Sequence, residues 1–126
     1  MRLLIGVLTT FILLMVSGFW INHWLLDSSL HLVGQAEAVS RQVEAGDWSE
    51  ALAEAEMLER KWEQEAKWWP VFLEHQEMDN IEFALTRCQE YVSSQDHALA
   101  MGQLAEIRLM IEHIPSKEEV NLINIF

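Results

Sequence analysis

The chain has 126 residues, one domain's worth of length, of which 51% are apolar and 22% charged. Its 20 acidic and 8 basic residues give a formal net charge of −12, the opposite of the basic footprint a nucleic-acid binder needs. A single cysteine excludes an internal disulfide and a Cys-based zinc site, the apolar content excludes a disordered chain, and only 5 Gly and 2 Pro argue against a turn-rich all-β domain.

Arg2 is the first charged side chain and Asp27 the second, and the 24 residues from Leu3 to Leu26 carry no formal charge. About 20 apolar residues at ~1.5 Å rise cross a ~30 Å hydrocarbon core, a length this stretch meets. Its polar members are small (Thr9, Thr10 and Ser17), and their hydroxyls can bond back to the helix's own carbonyls. A cleaved secretory signal has an apolar region of roughly 7–15 residues and a small-x-small cleavage site. Here the run is longer and ends in Phe19, Trp20 and Trp24. A core helix of this length would show a polar stripe, and none is present. Residues 1–27 therefore read as an uncleaved transmembrane anchor that contacts the membrane through residues 3–26.

Arg2 lies on one side of this span, and no Lys or Arg follows until Arg41. The positive-inside rule then predicts a single-pass cell-membrane protein with a cytoplasmic N-terminus and an extracytoplasmic C-terminal domain. Trp20 and Trp24 would sit in the outer interfacial belt. Setting aside Arg2 and Asp27 leaves 19 acidic and 7 basic residues outside, again −12, which repels the domain from anionic lipid. Only Met1 and Arg2 would remain inside, so any signal would have to pass through a partner in the bilayer. Gly6 and Thr10 form one small-xxx-small pair that could seat one, although an ordinary anchor carries scattered small residues too.

Residues 28–45 place Leu32, Ala36, Val39 and Val43 at helical spacing. Gly46 and Asp47 punctuate the chain, and Asp47 with Glu50 fits a capping box. A second helix, 48–69, carries Ala51, Ala55, Leu58 and Trp62 on one face and mixed charges on the other. Pro70 breaks it, because proline cannot donate to the ladder and disfavours the α conformation at Trp69. A third helix runs from about Phe72 to Val92 through Met78, Ile81, Leu85 and Cys88, and Ser93 to Asp96 make a turn. A fourth passes through Ala100, Leu104, Ile107 and Ile111 to Ile114, where Pro115 ends it. Ser116 with Glu119 is a further capping signal, which allows a short terminal helix in an apolar 116–126 tail ending LINIF.

A shift of 49 residues superposes Leu32 on Ile81, Ala36 on Leu85, Val39 on Cys88, Val43 on Val92, Asp47 on Asp96, Ala51 on Ala100, Ala55 on Leu104, Leu58 on Ile107 and Trp62 on Ile111. Three of these nine pairs are identical, so the echo is mainly one of pattern. The predicted fold is all-α: an N-terminal transmembrane helix, then a small antiparallel bundle of two helical hairpins, helical-repeat-like, over residues 28–115. Each hairpin has one apolar face and needs the other to cover it.

The charge-free span, the G-D-W helix start, the tryptophans 62, 68 and 69, the H-x-x-x-D-x-I-E run (His75, Asp79, Ile81, Glu82) and the N-I-F terminus together resemble a family. It is a group of short, membrane-anchored proteins of spore-forming Gram-positive bacteria, known as a domain of unknown function. The resemblance covers essentially the whole chain. It implies an anchored helical domain outside the cytoplasmic membrane and transfers no catalytic residue.

His75, Asp79 and Glu82 lie at i, i+4 and i+7, and a His with two carboxylates could hold a divalent ion. One helix seldom completes a ligand shell, so a solvated acidic face with His75 paired to Asp79 is the plainer reading, and no metal or cofactor is expected. Trp62, Trp68, Trp69 and Phe72 cluster around Pro70 as candidates for a partner-binding groove. Against that, Trp62 and one of the adjacent pair could fill the core, leaving the other tryptophan partly exposed, since neighbours on a helix point about 100° apart. Cys88 on the apolar stripe reads as a small core hydrophobe. His113, taken to lie near a helix C-terminus, would favour the dipole when charged. No Ser-His-Asp pattern, phosphate loop or differentiated carboxylate pair is present. The expected function is thus a non-enzymatic protein-interaction or scaffold module with a protein partner, and homo-oligomers are allowed for. The alternative is a metal- or ligand-sensing domain acting through a membrane partner.

Overall fold

The structure, a computed structural model, describes the backbone of residues 1–71 and 73–125 and the side chains of 1–71 and 73–114. Four helices account for nearly all of it: α1 (Arg2–Glu44), α2 (Trp48–Glu65), α3 (His75–Ser93) and α4 (His97–Ile125), with a single 3₁₀ turn at Trp69–Val71 before α3. No strand occurs among the described residues. The first soluble helix and the apolar segment are one helix of 43 residues.

Each helix packs on two neighbours, α1 on α2 and α4, and α3 on α2 and α4, which closes a four-helix bundle. Polar bonds across the pairs fix the directions. Ser28 and Gln35 of α1 meet Glu65 and Glu54 of α2, so the two run antiparallel. α3 and α4, joined by the short turn at Ser94–Asp96, run antiparallel too, with Arg87 of α3 meeting Gln103 and Glu106 of α4. The core holds Leu32, Ala36, Val39, Val43, Ala51, Ala55, Leu58, Trp62 and their partners on α3 and α4. Every apolar position of the 49-residue echo is buried.

The echo extends to the backbone. After α1, Gly46 N–H bonds to Val43 O and Asp47 N–H to Gln42 O, with Gly46 at φ 73°. After α3, Gln95 N–H bonds to Val92 O and Asp96 N–H to Tyr91 O, with Gln95 at φ 56°. Both are Schellman turns, in which a left-handed residue lets the chain satisfy the last helical carbonyls. Each is followed by an aspartate cap: Glu50 N–H donates to Asp47 Oδ1 at 3.2 Å and Leu99 N–H to Asp96 Oδ1 at 3.0 Å. The N–H of Asp47 is already taken by the turn, so only half of the expected capping box forms. The same bonds, 49 residues apart, show that the repeat is one of structure as well as pattern.

Three expected boundaries move. The second helix was expected to reach residue 69, but α2 ends at Glu65 and is followed by a turn. Pro70 has no N–H to give the carbonyl of Ala66 one turn earlier, so that oxygen instead accepts from Trp69 N at 3.3 Å, a tighter 3₁₀-type bond. The third helix begins at His75, since Pro70 and the 3₁₀ turn occupy the residues before it. Pro115 does not end the fourth helix, which continues to Ile125. An interior proline removes a single ladder bond at a cost of about 3 kcal/mol, and eighteen residues of α4 already precede it. Helical backbone at Ser116 leaves it no non-helical position from which to cap. The side chains of the terminal LINIF, and so its docking, lie outside the described residues.

Candidate functional site

α1 crosses two environments. From Met1 to Trp20 every residue is exposed, including Leu4, Leu8, Phe11, Leu14 and Phe19. From Ile21 onward burial sets in, and Leu25, Ser28, Ser29, Leu32 and Val33 face the bundle. The best 18-residue window of the exposed part has mean hydropathy 2.3, and none of it is buried within the protein. Among the described residues this is the single helix long and apolar enough to cross a membrane. Its hydroxyls are satisfied as expected: Thr9 donates to Ile5 O, Thr10 to Gly6 O and Ser17 to Leu14 O. The Gly6–Thr10 pair lies on an open helix face with nothing against Gly6.

The aromatic candidates divide. Trp62 and Trp69 are core residues, 2% and 0% exposed, with ring centroids 5.1 Å apart in an edge-to-face pair. Such a pair adds about 0.5–1.5 kcal/mol to the area it buries. Neither indole N–H has an acceptor within the described protein. Trp62 and Trp69 therefore belong to the core and not to an exposed aromatic surface: the unwinding before Pro70 turns Trp69 inward onto Trp62. Trp68 is 66% exposed, beside exposed Lys67, Pro70 and Val71. Phe72 lies outside the described residues.

His75, Asp79 and Glu82 are all exposed on α3, and no described group of three His, Cys, Asp or Glu side chains converges on a metal position. No ion pair joins His75 to Asp79 among the described residues. Cys88 is buried at 1% exposure beneath the α3 stripe, and burial pushes its thiol up to about 12, so it stays protonated and inert. His113 lies well inside α4, with twelve residues of helix beyond it, so the expected contact with a helix C-terminus does not arise.

Two polar clasps were not anticipated, because alternation of charge along a helix does not reveal which residues face a neighbour. Buried Gln35 accepts from Lys61 Nζ at 2.9 Å and donates to Glu54, both to its carbonyl and to its carboxylate. Buried Gln103 accepts from Arg87 Nε at 3.2 Å and donates to Glu106 Oε2 at 2.9 Å. Each hairpin thus holds one buried glutamine between a cation and a carboxylate, which satisfies its amide. An open groove of about 330 Å³ between α3 and α4 is lined by Glu77, Asn80, Leu109 and His113 over Ile81 and Ile114.

These features define a class: an all-helical protein whose first helix begins as a bare apolar rod and ends as one quarter of a bundle. The family model for a domain of unknown function, DUF4363, matches residues 19–125. The chain belongs to that family, and the match starts two residues before burial of α1 begins. No curated protein and no solved structure matches the chain.

Proposed function

We propose that this protein is a single-pass, membrane-anchored helical module whose bundle stands on the extracytoplasmic face and acts by contacting another protein. The observation that carries the reading is the split in α1. An uninterrupted helix exposes Leu3–Trp20 on every side and then supplies a core face from Leu25 to Val43. A helix apolar all round belongs in lipid or in a protein interior, and among the described residues no part of the bundle covers this one. Cleavage as a signal sequence would cut the helix at the edge of its own core. Arg2 flanks the span on its N-terminal side and no Lys or Arg follows until Arg41, which favours a cytoplasmic N-terminus. The non-enzymatic role rests on the sequence, which arranges no nucleophile, base or phosphate loop.

Topology is tested with C-terminal fusions in the producing cell. Alkaline phosphatase is expected to be active and green fluorescent protein dark. The reverse pattern, or recovery of a shortened protein free of membranes, overturns the anchor. The interaction role is tested by crosslinking in intact membranes followed by mass spectrometry. A specific crosslinked protein, or a second copy of the chain, supports it, and a bundle that crosslinks to nothing above a scrambled control refutes it.

A further inference from the structure

We infer that the connector between α2 and α3 rests on the bilayer that holds α1, with Trp68, Val71 and Lys67 seated at its outer interface. This gives the bundle a second point of contact with lipid. The inference rests on the anchored reading and adds to it the level and the orientation of the bundle.

Height along α1 sets the level of the connector. The fully exposed stretch, Leu3 to Trp20, is 18 residues, or about 27 Å at ~1.5 Å per residue, close to a ~30 Å hydrocarbon core. Burial starts at Ile21, although the charge-free stretch continues to Leu26. The lower end of the bundle therefore overlaps the last apolar residues of the span, at the height of the headgroups. Trp24, half-buried, already packs against the core there. Ser28 Oγ donates to Glu65 Oε2 at 2.6 Å, which pins the end of α2 just above that height. Since α2 descends antiparallel to α1, residues 66–71 lie at this lower end of the bundle, before α3 turns back. The Schellman turns at Gly46 and Gln95 lie at the opposite end.

The chemistry of the connector suits that place. Trp68 and Val71 are 66% and 75% exposed, although a core that takes in Trp62 and Trp69 lies beside them. Indoles and lysines favour the interface, where an amphipathic ring or a long stem can lie against acyl chains and keep its polar end wet. Lys67 is the one base in the connector, with Glu65 above it, Glu74 at the start of α3 and Asp27 facing out of α1. The surrounding acids keep the rest of the bundle off an anionic surface. Among the described side chains the contact is therefore confined to this edge.

The test uses the full chain in vesicles of phosphatidylcholine and phosphatidylglycerol, with a nitroxide attached at one introduced cysteine. Cys88 remains, because it is buried and protonated, and unmodified protein checks that it takes no label. Leu13→Cys reports the span, Trp68→Cys the connector and Ser49→Cys the far end, and melting curves confirm that each variant folds. Accessibility to oxygen relative to a water-soluble nickel chelate measures depth. The expected ratio is high at 13, intermediate at 68 and low at 49, with 68 several-fold above 49. If 13 reads as lipid while 68 matches 49, the connector is in water and the inference fails with the anchor intact. If 68 is shielded from both reagents, a protein covers it, which also overturns lipid as the occupant. If 13 itself reads as water, both the anchor and the inference fall.

Discussion

The two hairpins, α1 with α2 and α3 with α4, reach one geometry with different side chains. Both turn through a left-handed residue, and both restart on an aspartate cap. One uses Gly46 at φ 73°, the other Gln95 at φ 56°. Where the first buries Trp62, the second buries Ile111. The difference teaches that spacing and capping define the hairpin, while side-chain volume is settled locally. Only the first hairpin carries the apolar rod and abuts the Trp62–Trp69 pair, so the asymmetry of the molecule gathers at the α1 N-terminal side of the bundle.

The largest effect is expected where the hairpins differ most in volume. Trp62→Ala should cost about 3–5 kcal/mol in denaturant unfolding, since it leaves a large cavity and strips Trp69 of its ring partner. A loss near 1 kcal/mol would mean that the site collapses around the gap.

The Val39–Cys88 correspondence predicts a pH effect. Burial pushes the Cys88 thiol up to about 12 in the folded chain, above the 9.0 of a free thiol. The contribution of Cys88 to folding stability is therefore full below pH 9 and falls as pH rises toward 12, because the unfolded chain gains the thiolate first. Cys88→Val, the residue its echo carries, should remove this alkaline component while leaving neutral-pH stability nearly unchanged. Unfolding midpoints from pH 8 to 11 for the two proteins provide the check.

The caps sharpen the likeness. Asp47→Ala and Asp96→Ala should each destabilise by about 1 kcal/mol, and the double variant should show nearly the sum. Unequal losses in thermal melts would show that one hairpin leans on its cap more than the other. The turn residues give effects of opposite sign, no larger than those of the caps. Gly46→Ala should lose about 1 kcal/mol, and Gln95→Gly should gain about 0.5–1 kcal/mol, because only glycine enters the left-handed region without a Cβ penalty. A gain from both would refute the equivalence of the turns.

Much of this was legible in the chain. The stripe from Leu32 to Val43, the break after Gly46 and the acidic cap at Asp47 follow from period and propensity, which act over one or two turns. The 49-residue echo set Asp47 on Asp96, but that Asp96 caps α4 as Asp47 caps α2 came from the structure, since Ser93–Asp96 read as a turn. Pro115 misled because a proline weakens a helix without forbidding it. Among the tryptophans, the exclusion of Trp68 and Trp69 from one core was readable, but which of them turns inward was not.

The sequence by itself determined that the protein is all-helical, that its first helix begins with an apolar stretch long enough to cross a membrane, and that two similar hairpins pair their stripes. These properties depend on the order of residues along single helices. Only the tertiary structure decided that the span and the first bundle helix are one continuous rod, that Trp69 meets Trp62 while Trp68 faces outward, and that Gln35 and Gln103 are each clasped by a cation and a carboxylate. Those outcomes depend on how helices distant in sequence are set against one another, and spacing within a helix carries no record of that.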